Sequence, residues 1–106
     1  MSEILCVSNF YEKKYYLNEA FEKLPKEIKD ELKIMCVLFT EEAGGILSME
    51  FDEDGNLMFK TEADESDILY DDIAAGMLIP KLRYEKRDLL EGLEMFYKVF
   101  FLGLEE

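Results

Sequence analysis

The chain has no histidine and no tryptophan, and it has only two cysteines and two prolines in 106 residues. Histidine ordinarily titrates near neutral pH and is the commonest metal ligand, so its absence excludes Ser-His-Asp triads, Cys-His dyads and histidine-ligated zinc sites. Two cysteines are too few for a structural zinc site. We therefore expect neither an enzyme nor a bound cofactor.

Long hydrophobic runs are also missing. The longest uninterrupted apolar run, Ile34 to Phe39, has six residues, whereas a membrane-spanning helix needs about 20. The N-terminal residues 1–4 have neither the basic region nor the apolar region of a secretory signal. Cys6 and Cys36 lack the C-x-x-C spacing of a redox motif. We expect a cytoplasmic protein with two free thiols and no membrane association.

Basic residues are scarce, since 12 lysines and arginines face 25 acids and leave a net charge of -13. A surface of this sign repels phosphate backbones and anionic lipid. The one basic cluster runs from Lys81 to Arg87 and is interrupted by Glu85. It is more typical of a solvated helix start than of a nucleic-acid footprint. We expect no nucleic-acid partner.

The chain is rich in apolar and aromatic residues. Hydrophobic residues make up 49% of it, including eight phenylalanines and six tyrosines. This content favours a folded protein despite the high net charge. No linker, repeat or low-complexity segment interrupts it, so residues 1–106 are expected to form a single compact domain.

The first half of the chain predicts two helices. Asn9 and Glu12 have the spacing of a capping box for a helix toward Leu17, while residues 4–7 form an apolar stretch too short to assign, a possible third strand. A second helix is expected to begin at Pro25 and to end at Gly44. Its apolar stripe comprises Ile28, Leu32, Met35 and Phe39, and its last turns, from Ile34 to Phe39, are expected to be buried on all sides.

A β-hairpin follows the second helix. Apolar residues alternate on both sides of a Gly-containing turn, and the odd-numbered positions share a face. A three-residue loop at 53–55 keeps this parity, because loops of two or four residues pair odd with even positions. The predicted register places Phe51 opposite Leu57 and Met49 opposite Phe59.

Two helices are expected after the hairpin. Asp64 or Ser66 can cap a short helix that runs through Ile73. Gly76 and Pro80 then favour a break before the last helix. That helix is expected from about Lys81 onward, with an apolar stripe of Leu89, Leu93, Phe96 and Phe100. The complete prediction is an α+β fold with two N-terminal helices, a β-hairpin and two C-terminal helices, of which the second and the last helix cover the odd face of the hairpin.

The last helix also supplies the leading functional hypothesis. Its C-terminal turns are apolar on every side, which is more than one small hairpin can cover. Aromatic residues are enriched at protein interfaces. We therefore predict a non-catalytic interaction module that forms a homodimer or binds a protein partner through Phe96, Tyr97, Phe100 and Phe101.

An alternative function rests on residues 62–72, which contain six acids and no base. Carboxylate oxygens suit Mg²⁺ and Ca²⁺. Asp64, Asp67 and Asp71 would then bind a divalent cation or a small cationic ligand. A solvated acidic face explains the same cluster without any ligand and is the more common situation.

Four segments carry a family resemblance, and they are Glu31–Glu41, Gly44–Leu47, Phe51–Leu57 and Phe100–Gly103. Together they resemble an uncharacterised family of short acidic proteins from anaerobic Gram-positive bacteria. The resemblance covers nearly the whole chain. It implies a free-standing bacterial domain in a cytoplasmic setting, and it implies no activity, ligand or catalytic residue.

Overall fold

A four-stranded antiparallel sheet carries three α-helices on one of its faces in the computed structural model, which describes residues 2–103. The strand order across the sheet is β2-β1-β3-β4. The elements are β1 (Glu3–Asn9), β2 (Lys14–Leu17), a 3-10 helix (Glu19–Phe21), α1 (Lys26–Ala43), β3 (Ile46–Phe51), β4 (Leu57–Glu62), α2 (Asp72–Glu85) and α3 (Arg87–Phe100). The α+β class is confirmed, but the predicted arrangement of two N-terminal helices and a lone hairpin is wrong.

The first predicted helix is replaced by the β1–β2 hairpin. The Oδ1 atom of Asn9 does accept a hydrogen bond from the backbone N–H of Glu12, at 3.1 Å, but this bond closes a turn between two strands. Asparagine side chains make such local bonds both at helix starts and in turns, so the spacing alone does not separate the two outcomes. The open question about residues 4–7 is settled as well, because they lie in β1 between β2 and β3.

The hairpin formed by β3 and β4 has the predicted register. Phe51 pairs with Leu57 and Met49 pairs with Phe59. The turn is closed by a bond of 2.9 Å from the backbone N–H of Asp52 to the Asn56 carbonyl. Gly55 takes the left-handed conformation that the three-residue loop requires, with φ of 87°. The parity argument from the sequence is thereby confirmed.

The helix α1 begins directly after Pro25 and ends before Gly44, as the sequence predicts. Most of its apolar stripe is buried against the sheet: Leu32, Met35 and Phe39. The expected burial of the last turns on all sides is wrong, because Ile34 and Leu38 are 59% and 62% exposed. The sheet and α2 pack against α1 and leave the face that carries Ile34 and Leu38 open.

The segment after β4 differs from the prediction in two ways. Residues 63–71 form a loop, and α2 begins after Asp71, whose Oδ1 accepts a 2.8 Å bond from the backbone N–H of Ala74. The expected break at Gly76 and Pro80 is also wrong, because α2 runs through both residues. Pro80 cannot donate to the Gly76 carbonyl one turn earlier, but both residues face solvent, where water can bond that carbonyl. The break lies at Lys86, between α2 and α3.

A stack of four aromatic rings occupies one end of the core. The rings of Phe51 and Tyr97 lie 4.2 Å apart between centroids and are nearly parallel. Phe21 lies 5.6 Å from Phe51 and 4.8 Å from Phe101. The stack joins β3, α3 and the 3-10 helix. The helices α1 and α3 therefore both reach the inner face of the β3–β4 hairpin, α1 through Cys36 against Met49 and α3 through Tyr97 against Phe51.

Candidate functional site

The aromatic residues predicted as an interface divide between the core and the surface. Tyr97 is 8% exposed and belongs to the ring stack, and Phe96 is half-buried against Phe21. Phe101 also stacks on Phe21 but is 38% exposed, and Phe100 is 72% exposed. Tyr97 therefore packs within the monomer, whereas the interface role of the exposed rings stays a prediction.

The acidic loop at residues 63–71 uses its carboxylates locally. Asp64 accepts bonds from the backbone and the hydroxyl of Ser66, which lower the pKa of its carboxyl group. Asp67 accepts a 2.6 Å bond from the hydroxyl of Tyr11, and this bond raises the pKa of Tyr11. Asp71 caps α2. Each of these carboxylates thus has a structural role in holding the loop.

The proposed cation ligands are not gathered around one point. In the part of the chain that the structure describes, no three acidic or cysteine side chains are arranged so that they could hold a metal ion. Asp67 and Asp71 lie in a loop and at a helix cap, so they do not share the helix face that the sequence suggested. No geometric observation within residues 2–103 favours the cation hypothesis.

A cluster of sulfur atoms lies in the core between β1, β3 and α1. The Sγ atoms of Cys6 and Cys36 are 3.7 Å apart, and Cys36 Sγ lies 3.4 Å from Sδ of Met49. Both cysteines are free thiols with no exposed surface. The hydrogen bond with Cys6 and burial raise the pKa of Cys36 well above its ordinary value. Since neither cysteine has exposed surface, both act as packing residues in the core.

This burial predicts that iodoacetamide will not alkylate Cys6 or Cys36 in the native protein at pH 8, during a period in which the urea-unfolded chain reacts completely. Because folding raises the pKa of Cys36, the contribution of this thiol to stability is complete below its unfolded-state pKa and declines as the pH rises above that value. Mass spectrometry of the alkylated protein measures the reaction. Rapid modification of the native protein would show that the cluster opens without global unfolding.

A groove between α1 and α2 exposes apolar side chains on the outer surface. Its volume is about 610 Å³. Ile34, Met35 and Leu38 of α1 and Leu82 of α2 form its apolar part. We call this feature the α1–α2 groove. Exposed apolar side chains bordered by polar residues are typical of protein interaction sites.

The border of the α1–α2 groove is predominantly acidic. Its charged lining residues are Glu27, Asp30, Glu31, Glu85 and Lys86. Lys86 binds Glu31 at 3.1 Å, and Lys26, outside the lining, binds Asp30 at 2.6 Å. Within residues 2–103, Glu27 and Glu85 form no ion pair. The groove therefore combines an apolar floor with unneutralised negative charge.

Sequence reasoning missed this groove although a clue was present. The loss of a polar face from Ile34 to Phe39 correctly indicated excess apolar surface on α1. The mistake was to assume that other elements cover all of that surface. Which side of α1 remains open depends on where α2 crosses it, and the local sequence of α1 does not contain that information.

Comparison with known families matches residues 2–105 to the model of a family of unknown function, DUF6145. The chain belongs to this family. The match confirms the resemblance to an uncharacterised family, and the bacterial source stays an expectation. No significant match to the chain was found among curated proteins or solved structures.

Membership of DUF6145 assigns no activity to the chain, so the functional argument rests on the surfaces described above. Of the helices within residues 2–103, none has both the length and the apolar character needed to cross a bilayer.

Proposed function

We propose that this protein is a non-catalytic interaction module that binds a basic amphipathic segment of a partner protein in the α1–α2 groove. The observation that carries the proposal is the exposure of Ile34 and Leu38 on the floor of a groove with an acidic border. Binding of an amphipathic helix in an apolar groove is a common mode of recognition. Burial of large aliphatic side chains supplies its driving force.

Charge decides between a foreign partner and a second copy of the chain. The lining of the groove contains four acids and one lysine, and the whole chain carries a net charge of -13. A homodimer through this groove would bring two acidic borders together, and like charges across an interface are unfavourable. A partner segment rich in lysine or arginine instead complements the border. This argument favours a basic partner over a homodimer.

The cellular setting that we propose is the cytoplasm. The buried thiols Cys6 and Cys36, which form no disulfide, support it, because protein thiols stay reduced in that compartment. The acidic surface supports a protein partner over nucleic acid or an anionic membrane.

The test is affinity capture with two matched double variants. Ile34→Gln with Leu38→Gln alters the groove, whereas Ile68→Gln with Leu69→Gln alters an isoleucine and a leucine that are 92% and 87% exposed in the acidic loop. Since all four side chains are exposed, each double variant should change the free energy of unfolding by about 0.5 kcal/mol or less per residue. We expect the groove variant to lower recovery of the partner at least tenfold, which is about the effect of losing one buried aliphatic side chain.

Cross-linking with mass spectrometry of the captured complex identifies the bound segment, which should be basic and amphipathic. Equal recovery with both variants would contradict the groove as the binding surface. If the wild-type bait recovers only untagged copies of the chain, and the groove variant does not recover them, the groove forms a homodimer and does not bind a foreign partner. An acidic or purely polar bound segment would contradict the charge argument.

A further inference from the structure

Three lysines line a second cavity, at the end of the sheet where β1 turns into β2. Lys13 and Lys14 come from that hairpin, and Lys33 comes from α1. The cavity has a volume of about 260 Å³, and Glu41 is the only acid among its lining residues. In a chain with twice as many acids as bases, this is a local reversal of charge.

Like Lys23, Lys81 and Lys98, the three lysines have no carboxylate partner in the part of the chain that the structure describes. Lysines 26, 29, 60 and 86 each bind a carboxylate within 4.0 Å. Within residues 2–103, none of the cavity lysines forms an ion pair. The ammonium group of Lys13 instead lies 3.4 Å from the centre of the Phe10 ring. Positive charge that the protein does not neutralise itself is available to an anion.

The backbone at Lys13 adds a second observation. Lys13 has φ of 54°, and it is the one non-glycine residue in the described part of the chain with a positive φ. This conformation costs about 1–2 kcal/mol for a residue with a Cβ atom. The hairpin thus places a lysine, and not a glycine, at the strained position beside the cavity. Such residues cluster at ligand sites.

The remaining walls combine apolar and polar side chains. Phe10, Tyr15 and Val37 line the cavity together with Ser8, Asn9, Thr40 and Glu41. The hydroxyl groups of Ser8 and Thr40 are bonded to each other at 2.9 Å and are buried. The cavity therefore offers positive charge on one part of its surface and aromatic and aliphatic contacts on another.

We propose that this cavity binds a small organic anion. Its carboxylate or phosphate group lies among the ammonium groups of Lys13, Lys14 and Lys33, and its apolar body contacts Phe10 and Tyr15. Lysine ammonium groups bind such anions as point charges. The volume corresponds to roughly nine water molecules at about 30 Å³ each, which is the size of a small aromatic acid. The proposal is independent of the α1–α2 groove, which lies on another part of α1.

Titration of the full chain with four probes tests the proposal. Phenyl phosphate and benzoate carry both an anionic group and an apolar body, benzamide lacks the charge, and inorganic phosphate lacks the body. We expect saturable binding of phenyl phosphate, benzoate or both, measured by calorimetry, with amide shift changes in NMR at Phe10, Tyr15 and Val37. Benzamide and inorganic phosphate should bind at least tenfold more weakly. The two anionic probes distinguish a phosphate ligand from a carboxylate ligand.

A matched pair of variants separates the cavity from general charge effects. Lys33→Gln should weaken binding about tenfold, the effect of losing one charge-assisted hydrogen bond. Lys81→Gln removes one exposed charge from α2, away from the cavity, and should change binding less than twofold. Absence of saturation, equal effects of the two variants, or equal binding of benzamide would overturn the proposal. Equal binding of inorganic phosphate and phenyl phosphate would overturn the organic nature of the ligand.

Discussion

Replacement of Phe51 by alanine should lower the free energy of unfolding by about 3–5 kcal/mol. Phe51 is fully buried, and its ring stacks on Tyr97 at 4.2 Å and on Phe21 at 5.6 Å. The alanine variant loses the transfer free energy of the ring and leaves a cavity between two other aromatic side chains. Small domains have only about 5–15 kcal/mol of stability in total, so the variant should be close to unfolding at 37 °C.

Phe100→Ala is the matched control, because it removes the same ring from a position that is 72% exposed. We expect it to change the free energy of unfolding by no more than about 0.5 kcal/mol. Urea unfolding followed by circular dichroism measures both variants, and the chain contains no tryptophan to report by fluorescence. A large, concentration-dependent loss for Phe100→Ala would instead show that Phe100 lies in a subunit interface, as the sequence first suggested.

The β3–β4 hairpin could be predicted because its determinants are local. Alternating apolar residues set the inner face, and Gly55 supplies the left-handed position in the loop. Parity then permits one register, with Phe51 opposite Leu57. The start and end of α1 could also be predicted, since Pro25 and Gly44 mark them in the sequence. In each case a few neighbouring residues are sufficient to determine the structure.

The N-terminal hairpin was not predictable in the same way. The bond from the Glu12 N–H to Asn9 was correctly anticipated, but it serves a turn as well as a helix start. What selects strands is pairing with a distant segment, because β1 also pairs with β3, for example Ser8 with Leu47. A two-stranded hairpin is marginal alone and becomes stable in a larger sheet. That partner is almost forty residues away and leaves no trace in the local pattern.

The candidate sites likewise divide into features that depend on local sequence and features that depend on long-range packing. The sequence identified the acidic loop and the aromatic residues of α3, because composition and spacing reveal them. It did not reveal that Tyr97 and Phe101 stack with Phe21, or that Ile34 and Leu38 lie on the floor of a groove with an acidic border. Both facts depend on how elements cross in space. The lysine cavity likewise joins Lys33 of α1 to the β1–β2 turn, and that contact requires the unpredicted hairpin.

Gly45→Ala should also be strongly destabilising, by about 2–5 kcal/mol, because two independent costs add. Gly45 has φ of +72°, which alanine adopts only with strain. An added Cβ atom would also lie 2.5 Å from the Glu62 carbonyl oxygen and 2.8 Å from the Tyr70 ring. Tyr70 packs on the core and precedes Asp71, whose N–H binds the Ala43 carbonyl at 3.0 Å. The substitution should therefore displace the acidic loop from the end of the sheet.

Two further glycine variants separate these costs. Gly44→Ala meets no atom closer than 3.8 Å, but φ of 81° with ψ of −171° is a conformation that almost only glycine adopts, so its loss should be about 1–3 kcal/mol. Gly76→Ala in α2 has neither cost, since nothing lies within 4 Å of the new Cβ atom. It should stabilise the protein by about 0.5–1 kcal/mol, because alanine restricts the unfolded chain more than glycine does. Urea unfolding measures the free energy of unfolding of the three variants and so ranks them. Equal losses for Gly44→Ala and Gly45→Ala would mean that Tyr70 moves away at little cost, and the loop would then be held mainly by the Tyr11 hydroxyl on Asp67.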